Sequence, residues 1–403
     1  MIPFSPPRID QAIIDEVTAT LRSGWITTGP RTKRFEKEIA AYCGVPAVVC
    51  LNSATAGLEL MLRWFGVREG DEVILPAYTY AATANVVIHC GAKPVFVDSN
   101  ADDFNISVSK IEAALTGRTK VILPVDFGGW PCDYDAINAL AVKKASLFCA
   151  ESEAQQKLGR ILVLSDAAHA FGALYKGRKA GSLTDVSVFS FHAVKNLTTA
   201  EGGAVALNLP AAFDNDAVYR ELCIKALHGQ DKDALAKSQM GNWRYDIVEA
   251  GYKCNMTDIA AAIGLVELAR YDNDTLVKRK KIVDKYNWVL SAYDWAQLPG
   301  MPAGEMNSSC HLFPLRIKGI TEPQRDEIIK KISGKEVSVN VHFIPVPMMS
   351  FYRSLGYDVK NYPVAFDNYS REISLPVFYD LTDEQMNQVL EAVVSSVLEV
   401  LST

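Results

Sequence analysis

The feature that most limits what this chain can fold into is an alternation that runs from about residue 45 to 210. Short apolar segments of strand length take turns with amphipathic segments of helix length. Ala47–Leu51, Glu72–Leu75, Pro94–Val97, Val121–Pro124 and Ile161–Ser165 read as strands. Ala54–Phe65, about Tyr80–His89, and Tyr134–Val142 read as helices between them, and Val186–Phe191 and Ala204–Leu207 as a late strand pair. The strands are rich in β-branched residues, as expected where both faces of a sheet are covered. The pattern predicts an α/β fold built on a mostly parallel sheet between helical layers.

At 403 residues the chain exceeds one ordinary core, so a large domain and a smaller one are expected. The N-terminal segment and the large α/β domain are assigned to residues 1–275. A small C-terminal α+β domain is assigned to 276–403, because strand-like and helix-like units shorten and mix after residue 295. Thr257 to about Ala292 reads as helix, and its basic residues Arg270, Lys278, Arg279, Lys280 and Lys281 as a solvated face. Leu147–Leu158 reads as a loop or an extra helix, with no assigned role.

Bulk properties exclude several functions. A net charge of −6 offers no broad attraction to nucleic acid or an anionic membrane. No apolar run reaches the roughly 18 residues of a membrane span, and the N-terminus lacks a signal-peptide pattern, so a cytoplasmic protein is expected. The 8 cysteines and 6 histidines are scattered without metal or disulfide spacing, so reduced thiols and no metal site are expected.

Four segments carry chemistry. The strand Ile161–Ser165 runs into Asp166-Ala167-Ala168-His169. Ligands of open α/β sheets bind beyond the carboxyl ends of strands, which suits Asp166, although an aspartate here could equally cap a helix. Lys195 lies between two apolar strands, followed by Asn196-Leu197-Thr198-Thr199-Ala200-Glu201-Gly202-Gly203. A lysine flanked by buried sequence loses its proton more readily and can form a Schiff base, and paired glycines allow a close backbone approach. Asn52-Ser53-Ala54-Thr55 leads a strand into a helix, where free N–H groups and hydroxyls suit a phosphate. In Tyr78-Thr79-Tyr80 an aromatic leaves a strand, where it could stack on a flat ring or simply pack on the core. Together the four supply what pyridoxal phosphate requires: a lysine, a carboxylate for the ring nitrogen, a phosphate cup and a ring platform.

With these segments in place, the sequence resembles the DegT/StrS family of sugar aminotransferases, within fold type I of the pyridoxal-phosphate enzymes. The resemblance extends over nearly the whole chain. It is carried by Trp25-Ile26-Thr27-Thr28-Gly29-Pro30, Gly70-Asp71-Glu72-Val73, Pro94-Val95-Phe96-Val97-Asp98, Ser165-Asp166-Ala167-Ala168-His169, Phe189-Ser190-Phe191-His192-Ala193-Val194-Lys195, Gly251-Tyr252-Lys253-Cys254-Asn255 and Asn340-Val341-His342-Phe343. The resemblance implies that Lys195 carries the cofactor covalently and shuttles a proton, and that Asp166 pairs with the ring nitrogen. It implies that Tyr80 stacks on the ring and His169 lies by the phenolic oxygen or the opposite face. Ala54 and Thr55 would offer amides, and Ser190 its hydroxyl, to the phosphate. Asn255, with Lys253, would reach the cofactor phosphate of a second subunit, so a homodimer with shared sites is implied. Thr27, His192 and His342 would border the sugar nucleotide. Ala54, Ala200 and Lys253 depart from the commoner family residues.

The implied reaction is transamination of a nucleotide-linked keto-deoxyhexose with L-glutamate as donor. A UDP-linked 4-keto-6-deoxyhexose aminated at C4 is favoured, with surface polysaccharide or lipopolysaccharide as destination. The alternatives are C3 amination of a dTDP-keto sugar, a sugar dehydratase, a cofactor-binding regulator and an enzyme of amino acids alone. The presence of Lys195 disfavours the dehydratase, whose relatives carry histidine there.

Overall fold

The computed structural model describes residues 1–232, 243–300 and 306–402. The strands up to residue 210 are β1 (Ala47–Leu51), β2 (Glu72–Pro76), β3 (Lys93–Val97), β4 (Thr119–Ile122), β5 (Leu162–Asp166), a short hairpin β6 (Leu174–Tyr175) and β7 (Arg178–Lys179), β8 (Val186–Ser190) and β9 (Gly203–Leu207). Seven of them form one sheet in the order β1-β9-β8-β5-β4-β2-β3. Only β9 opposes its neighbours; β8, β5, β4, β2 and β3 pair in parallel.

The expected covering of both faces is visible along single strands. Leu162 and Leu164 of β5 enter one core, and Ile161 and Val163 beside them enter the other. Consecutive side chains of a strand point to opposite faces, so both layers must be apolar. The helices α1 (Gln11–Arg22), α2 (Pro30–Cys43), α3 (Ala54–Trp64) and α4 (Ala81–His89) lead into or connect these strands. The cap of α3 is Ser53, whose hydroxyl accepts from the Ala56 N–H at 3.1 Å. Tyr80 is not the first residue of α4 but its N-terminal cap position, in extended conformation.

Three expectations need correction or completion. The helical stretch after Thr257 is two helices, Asp258–Arg270 and Leu276–Leu290, joined by a π-helical turn at Tyr271–Thr275. The basic face is not uniformly solvated: Arg279 is buried and donates to the carbonyls of Cys310 and His311 at 3.0 and 2.8 Å. The spacing of Arg279 from its charged neighbours carries no sign of this, because its partners are backbone groups remote in sequence. The 147–158 segment resolves into a turn at Ala145–Leu147 and a short helix Glu153–Leu158. The Ser152 hydroxyl and the Gln155 amide both donate to the Phe65 carbonyl at 2.9 Å, closing the C-terminal end of α3.

Beyond the helix Leu276–Leu290, β10 (Ala296–Gln297), β12 (Phe313–Ile317) and β13 (Glu372–Leu375) form a small antiparallel sheet in the order β10-β12-β13, while β11 (Met306–Asn307) joins β6. This sheet packs with the helices Glu322–Gly334 and Asp383–Leu401 around a third core that includes Tyr286, Phe313, Leu315, Ile328 and Val393. Ile2 belongs to the same core: its N–H donates to the Glu336 carbonyl, and its carbonyl accepts from Ser338.

Candidate active site

The carboxyl ends of β1, β2, β5 and β8 lie on one side of the sheet, and β9 begins there because it runs the other way. Leu51, Gly203 and Ser190 form one row across β1, β9 and β8. A cavity of about 380 Å³ opens at this edge, the place where open α/β sheets bind ligands. It brings together Ala54, Thr55, Tyr80, Asp166, His169, Ser190, His192, Lys195 and His342 from the sequence reading.

Asp166 ends β5 and is almost fully buried. One carboxyl oxygen accepts from the Thr83 hydroxyl at 2.8 Å and the other from the Ala168 N–H at 3.2 Å. Burial pushes its pKa above the usual carboxylate range, against the pull of those donors and of the Lys195 charge. Among the described residues Asp166 makes no salt bridge. A buried carboxylate without a cation is costly, so the site favours a cationic ligand atom. Across the cavity Lys195 sits in the loop after β8, half-buried. Loss of hydration lowers its pKa to about 8, and Asp166 opposes the shift. That is the depressed lysine a carbonyl-capturing site requires.

The turn from β1 into α3 supplies the anion cup. Ser53 serves the Ala56 N–H, and among the described residues no protein acceptor meets the N–H groups of Ala54 or Thr55, which head the helix dipole. The cup depends on Gly203: a Cβ there would stand 2.4 Å from the Ala54 nitrogen. Gly203 therefore allows a close approach between β9 and the Ser53–Ala54 turn, while a Cβ on Gly202 would meet the Thr199 hydroxyl instead. Ser190 ends β8 beside this cup. Tyr80 is 64% exposed at the cavity rim, 5.9 Å from the Phe343 ring, and so presents a ring face that other protein groups leave open.

Besides the exposed His192, three imidazoles share the cavity with Lys195. His169 is buried, and its Nδ1 accepts from the Gly128 N–H at 3.2 Å. Burial, aided by the Lys195 charge, holds it well below the ordinary imidazole range. The neutral ring therefore carries its proton on Nε2. His342 pairs its Nδ1 with the Ser374 hydroxyl at 2.8 Å, and burial lowers its pKa to about 3. The third, His311, was not singled out from the sequence. Its Nδ1 lies 2.9 Å from Asn196 Oδ1, and its ring lies 4.3 Å from that of His169. Asn196 also donates to the Ser309 carbonyl at 2.6 Å, so the residue after Lys195 fastens the lysine loop to the segment before β12. A lone histidine before an apolar strand gives no signal by spacing. Only the fold brings it to Asn196.

Thr27, Lys253 and Asn255 do not line this cavity. Lys253 Nζ donates to Asn255 Oδ1 at 2.5 Å, and Asn255 Nδ2 donates to Thr28 Oγ1 at 2.5 Å. The Thr27 carbonyl accepts from the Asp258 N–H at 3.1 Å. These residues form a separate group beside β1, where Asn255 bridges to Leu51.

The site therefore offers a depressed lysine, a buried carboxylate with no salt bridge among the described residues, an anion cup of backbone N–H groups and an exposed aromatic ring, a donor set that fits pyridoxal phosphate. Among the described residues no histidine, cysteine and carboxylate cluster could hold a metal ion.

Known proteins bear on this arrangement. The sequence profile of the DegT/DnrJ/EryC1/StrS aminotransferase family matches residues 7–394. The spore coat polysaccharide biosynthesis protein SpsC of Bacillus subtilis is 38% identical over 403 aligned residues, 97% of this chain and 96% of SpsC. Spr1654 of Streptococcus pneumoniae, described as a sugar aminotransferase and solved in its PMP form, is 46% identical with a TM-score of 0.96, over 99% of this chain and 100% of that one. PseC of Helicobacter pylori, an aminotransferase of pseudoaminic acid biosynthesis, is 27% identical with a TM-score of 0.86, over 99% of this chain and 100% of PseC. With Lys195 and Asp166 facing one cavity at the sheet edge and the family profile matched over residues 7–394, the chain belongs to the DegT/DnrJ/EryC1/StrS aminotransferase family.

Proposed function

We propose that this chain, a sugar aminotransferase by family, uses pyridoxal phosphate to move the amino group of L-glutamate onto C4 of a UDP-linked 4-keto-6-deoxyhexose. The observation that carries the reading is the pairing across one cavity of the depressed Lys195 and the buried Asp166, which has no salt-bridge partner among the described residues. The PLP and PMP forms in which Spr1654 has been solved support the choice of cofactor.

When bound, the cofactor supplies an aldehyde to carry the amino group and a ring that withdraws electrons. Lys195 would hold that aldehyde, then move protons at Nζ. With a pKa near 8 it gives and takes a proton at little cost around neutral pH. Asp166 would hold the proton of the ring nitrogen, and Thr83 and the Ala168 N–H keep the carboxylate aimed. The Ala54 and Thr55 amides and the Ser190 hydroxyl would bind the phosphate, and Tyr80 would cover the ring. His169, with its proton on Nε2, would donate to the phenolic oxygen. His192 and His342 would meet the sugar nucleotide.

Lys253 and Asn255, with Thr27, would complete the cavity of a second copy in a homodimer. Their position outside their own cavity supports this. We read residues 1–275 as the N-terminal segment and large domain and 276–403 as the small domain; the third core lies in the latter apart from Ile2, which supports that division. The expected setting is the cytoplasm, and the destination a surface polysaccharide, which the name of SpsC supports.

The test is product analysis. Protein charged with pyridoxal phosphate and L-glutamate is given UDP- and dTDP-linked 4-keto and 3-keto hexoses, and the amine is located by NMR. Amination at C4 of a UDP sugar is expected. Amination at C3, or a preference for dTDP, overturns the substrate assignment. Turnover of simple 2-oxo acids alone overturns the sugar reading. For the dimer, mixing the inactive variants Lys195→Ala and Asn255→Ala should restore activity to about a quarter of wild type if each site draws on both copies. No recovery contradicts sharing.

A further inference from the structure

The wall of the cavity opposite the large sheet contains a buried acid that the proposed reaction does not use. Glu372 and Ser374 lie on the same face of β13, two residues apart, and both are fully buried. The Ser374 hydroxyl bonds Glu372 Oε1. The other carboxyl oxygen accepts from the His342 backbone N–H at 2.9 Å. Ser374 Oγ lies 2.8 Å from His342 Nδ1. An unbroken chain of hydrogen bonds thus runs from Glu372 through Ser374 to the imidazole of His342, which lines the cavity within reach of the Lys195 charge. Asn340 fixes the geometry by pairing its backbone with Ser374 in both directions. The Phe4 ring stacks on the imidazole with centroids 5.5 Å apart.

A hydroxyl has one proton, so the direction of every bond in this chain is set by the state of Glu372. When Glu372 is ionised, Ser374 donates to it and must accept from His342 Nδ1–H, which leaves Nε2 as a bare acceptor. When Glu372 is protonated, it donates to Ser374, Ser374 donates to Nδ1, and the imidazole carries its proton on Nε2. The imidazole is neutral in both states. Burial, against weaker pulls from Arg325 and Arg316, raises Glu372 to about 8, close to working pH. Among the described residues Glu372 forms no salt bridge. The other charged or titratable groups facing the chain are Tyr78 on the Glu372 side, and Lys195, His169 and His311 on the imidazole side.

We infer that Glu372, Ser374 and His342 form a proton relay that takes one proton from the ammonium of the incoming primary-amine donor. The inference rests on the reading that this cavity receives the donor. The N–H bond of the ammonium breaks as Nε2–H forms. The Nδ1–H proton passes to Ser374, and the Ser374 proton passes to Glu372 Oε1. An ammonium and a carboxylate become an amine and an acid, so two buried charges vanish together and no imidazolium arises. The amine is then free to attack, and the relay returns its proton when product leaves. His342 is the catalytic member, while Ser374 and Glu372 position it and set its proton.

Nitrogen NMR of the holoprotein with labelled histidine tests this directly, with the His342 signals identified by their loss in His342→Gln. Wild type should show Nδ1–H well above pH 8 and Nε2–H well below it. Glu372→Gln, whose amide donates to Ser374, should hold Nε2–H at every pH. Ser374→Ala should abolish the pH-linked flip and Ser374→Thr should restore it. A single tautomer throughout in wild type, or a flip that survives in Ser374→Ala, overturns the relay. The first half-reaction gives a second readout: Glu372→Gln should slow it by about 100-fold with KM for L-glutamate nearly unchanged, and should remove its rise with pH. Equal rates and equal pH profiles also overturn it. The NMR result does not depend on the sugar, so a protein that flips its tautomer but aminates no keto sugar would sink the substrate reading and leave the relay standing.

Discussion

The cavity has two walls, and each contains a buried carboxyl group near a histidine. On the large-sheet side Asp166 ends a strand and is held by a hydroxyl and a backbone N–H, with His169 three residues on. On the small-sheet side Glu372 begins a strand and is linked through Ser374 to His342, thirty positions earlier in the chain. Both are raised by burial, and both stand without a salt bridge among the described residues. The first wall is built at strand ends, where the Ala168 N–H follows Asp166 by two residues but the Thr83 hydroxyl comes from α4, 83 positions earlier. The second is built from side chains that meet only after folding. The difference teaches that a fixed charge and a movable proton call for different surroundings. The Thr83 hydroxyl that serves Asp166 leads on to the Thr79 hydroxyl, not to an imidazole. Glu372 ends in a rotatable hydroxyl whose bond can reverse.

The comparison can be broken most sharply on the first wall. Lys195→Ala should remove the near-visible absorbance of the cofactor complex and lower turnover at least about 10⁴-fold. Asp166→Ala should cost about 10³-fold in turnover, the scale of removing one partner of a buried ionic pair. Steady-state assays check both, and a small effect of either would mean the first wall is not where charge is fixed.

Two pH effects sharpen the distinction. Lys195 is depressed to about 8, so apo protein should capture pyridoxal phosphate faster as pH rises from 7 to about 9, and then level off. Stopped-flow absorbance reads this, and a flat profile contradicts it. Glu372 is shifted the other way, from 4.5 to about 8. The folded state holds its proton more tightly than the unfolded chain does. Its stabilising contribution is complete below the unfolded value and is lost as pH rises through 8. Wild type should therefore lose about 2 °C more in thermal midpoint than Glu372→Gln between pH 7 and 9. Parallel curves would place the ionisation elsewhere. The smallest effect concerns Ala200, at φ 68 in the exposed loop after Lys195. Glycine there should stabilise the fold by about 1 kcal/mol in denaturant titration, because the left-handed conformation strains a Cβ.

The legibility of the sequence divides along the same line. The alternation of strands and helices, Asp166 after an apolar run, Lys195 between strands and the glycine pair at Gly202–Gly203 are local patterns, so they could be read directly. The reason for Gly203, its 2.4 Å approach to the Ala54 nitrogen, needed the register of β9 against β1. His311, Asn196, Ser374 and Glu372 left no pattern. A glutamate and a serine in β13 resemble the polar face of an exposed strand, and their burial comes with tertiary packing, where β12 pairs on one side and Asn340 bridges to Ser374 on the other. Arg279 was hidden for the same reason, a charge among charges whose carbonyl partners are remote in sequence.

Near-visible absorbance of purified protein, freed of unbound pyridoxal phosphate, before and after L-glutamate, in wild type and in Lys195→Ala, decides whether Lys195 holds the cofactor. A yellow band that glutamate bleaches is expected in wild type, and no such band in the variant. A wild-type protein that stays colourless with added cofactor, or a Lys195→Ala variant that colours and bleaches alike, would contradict it.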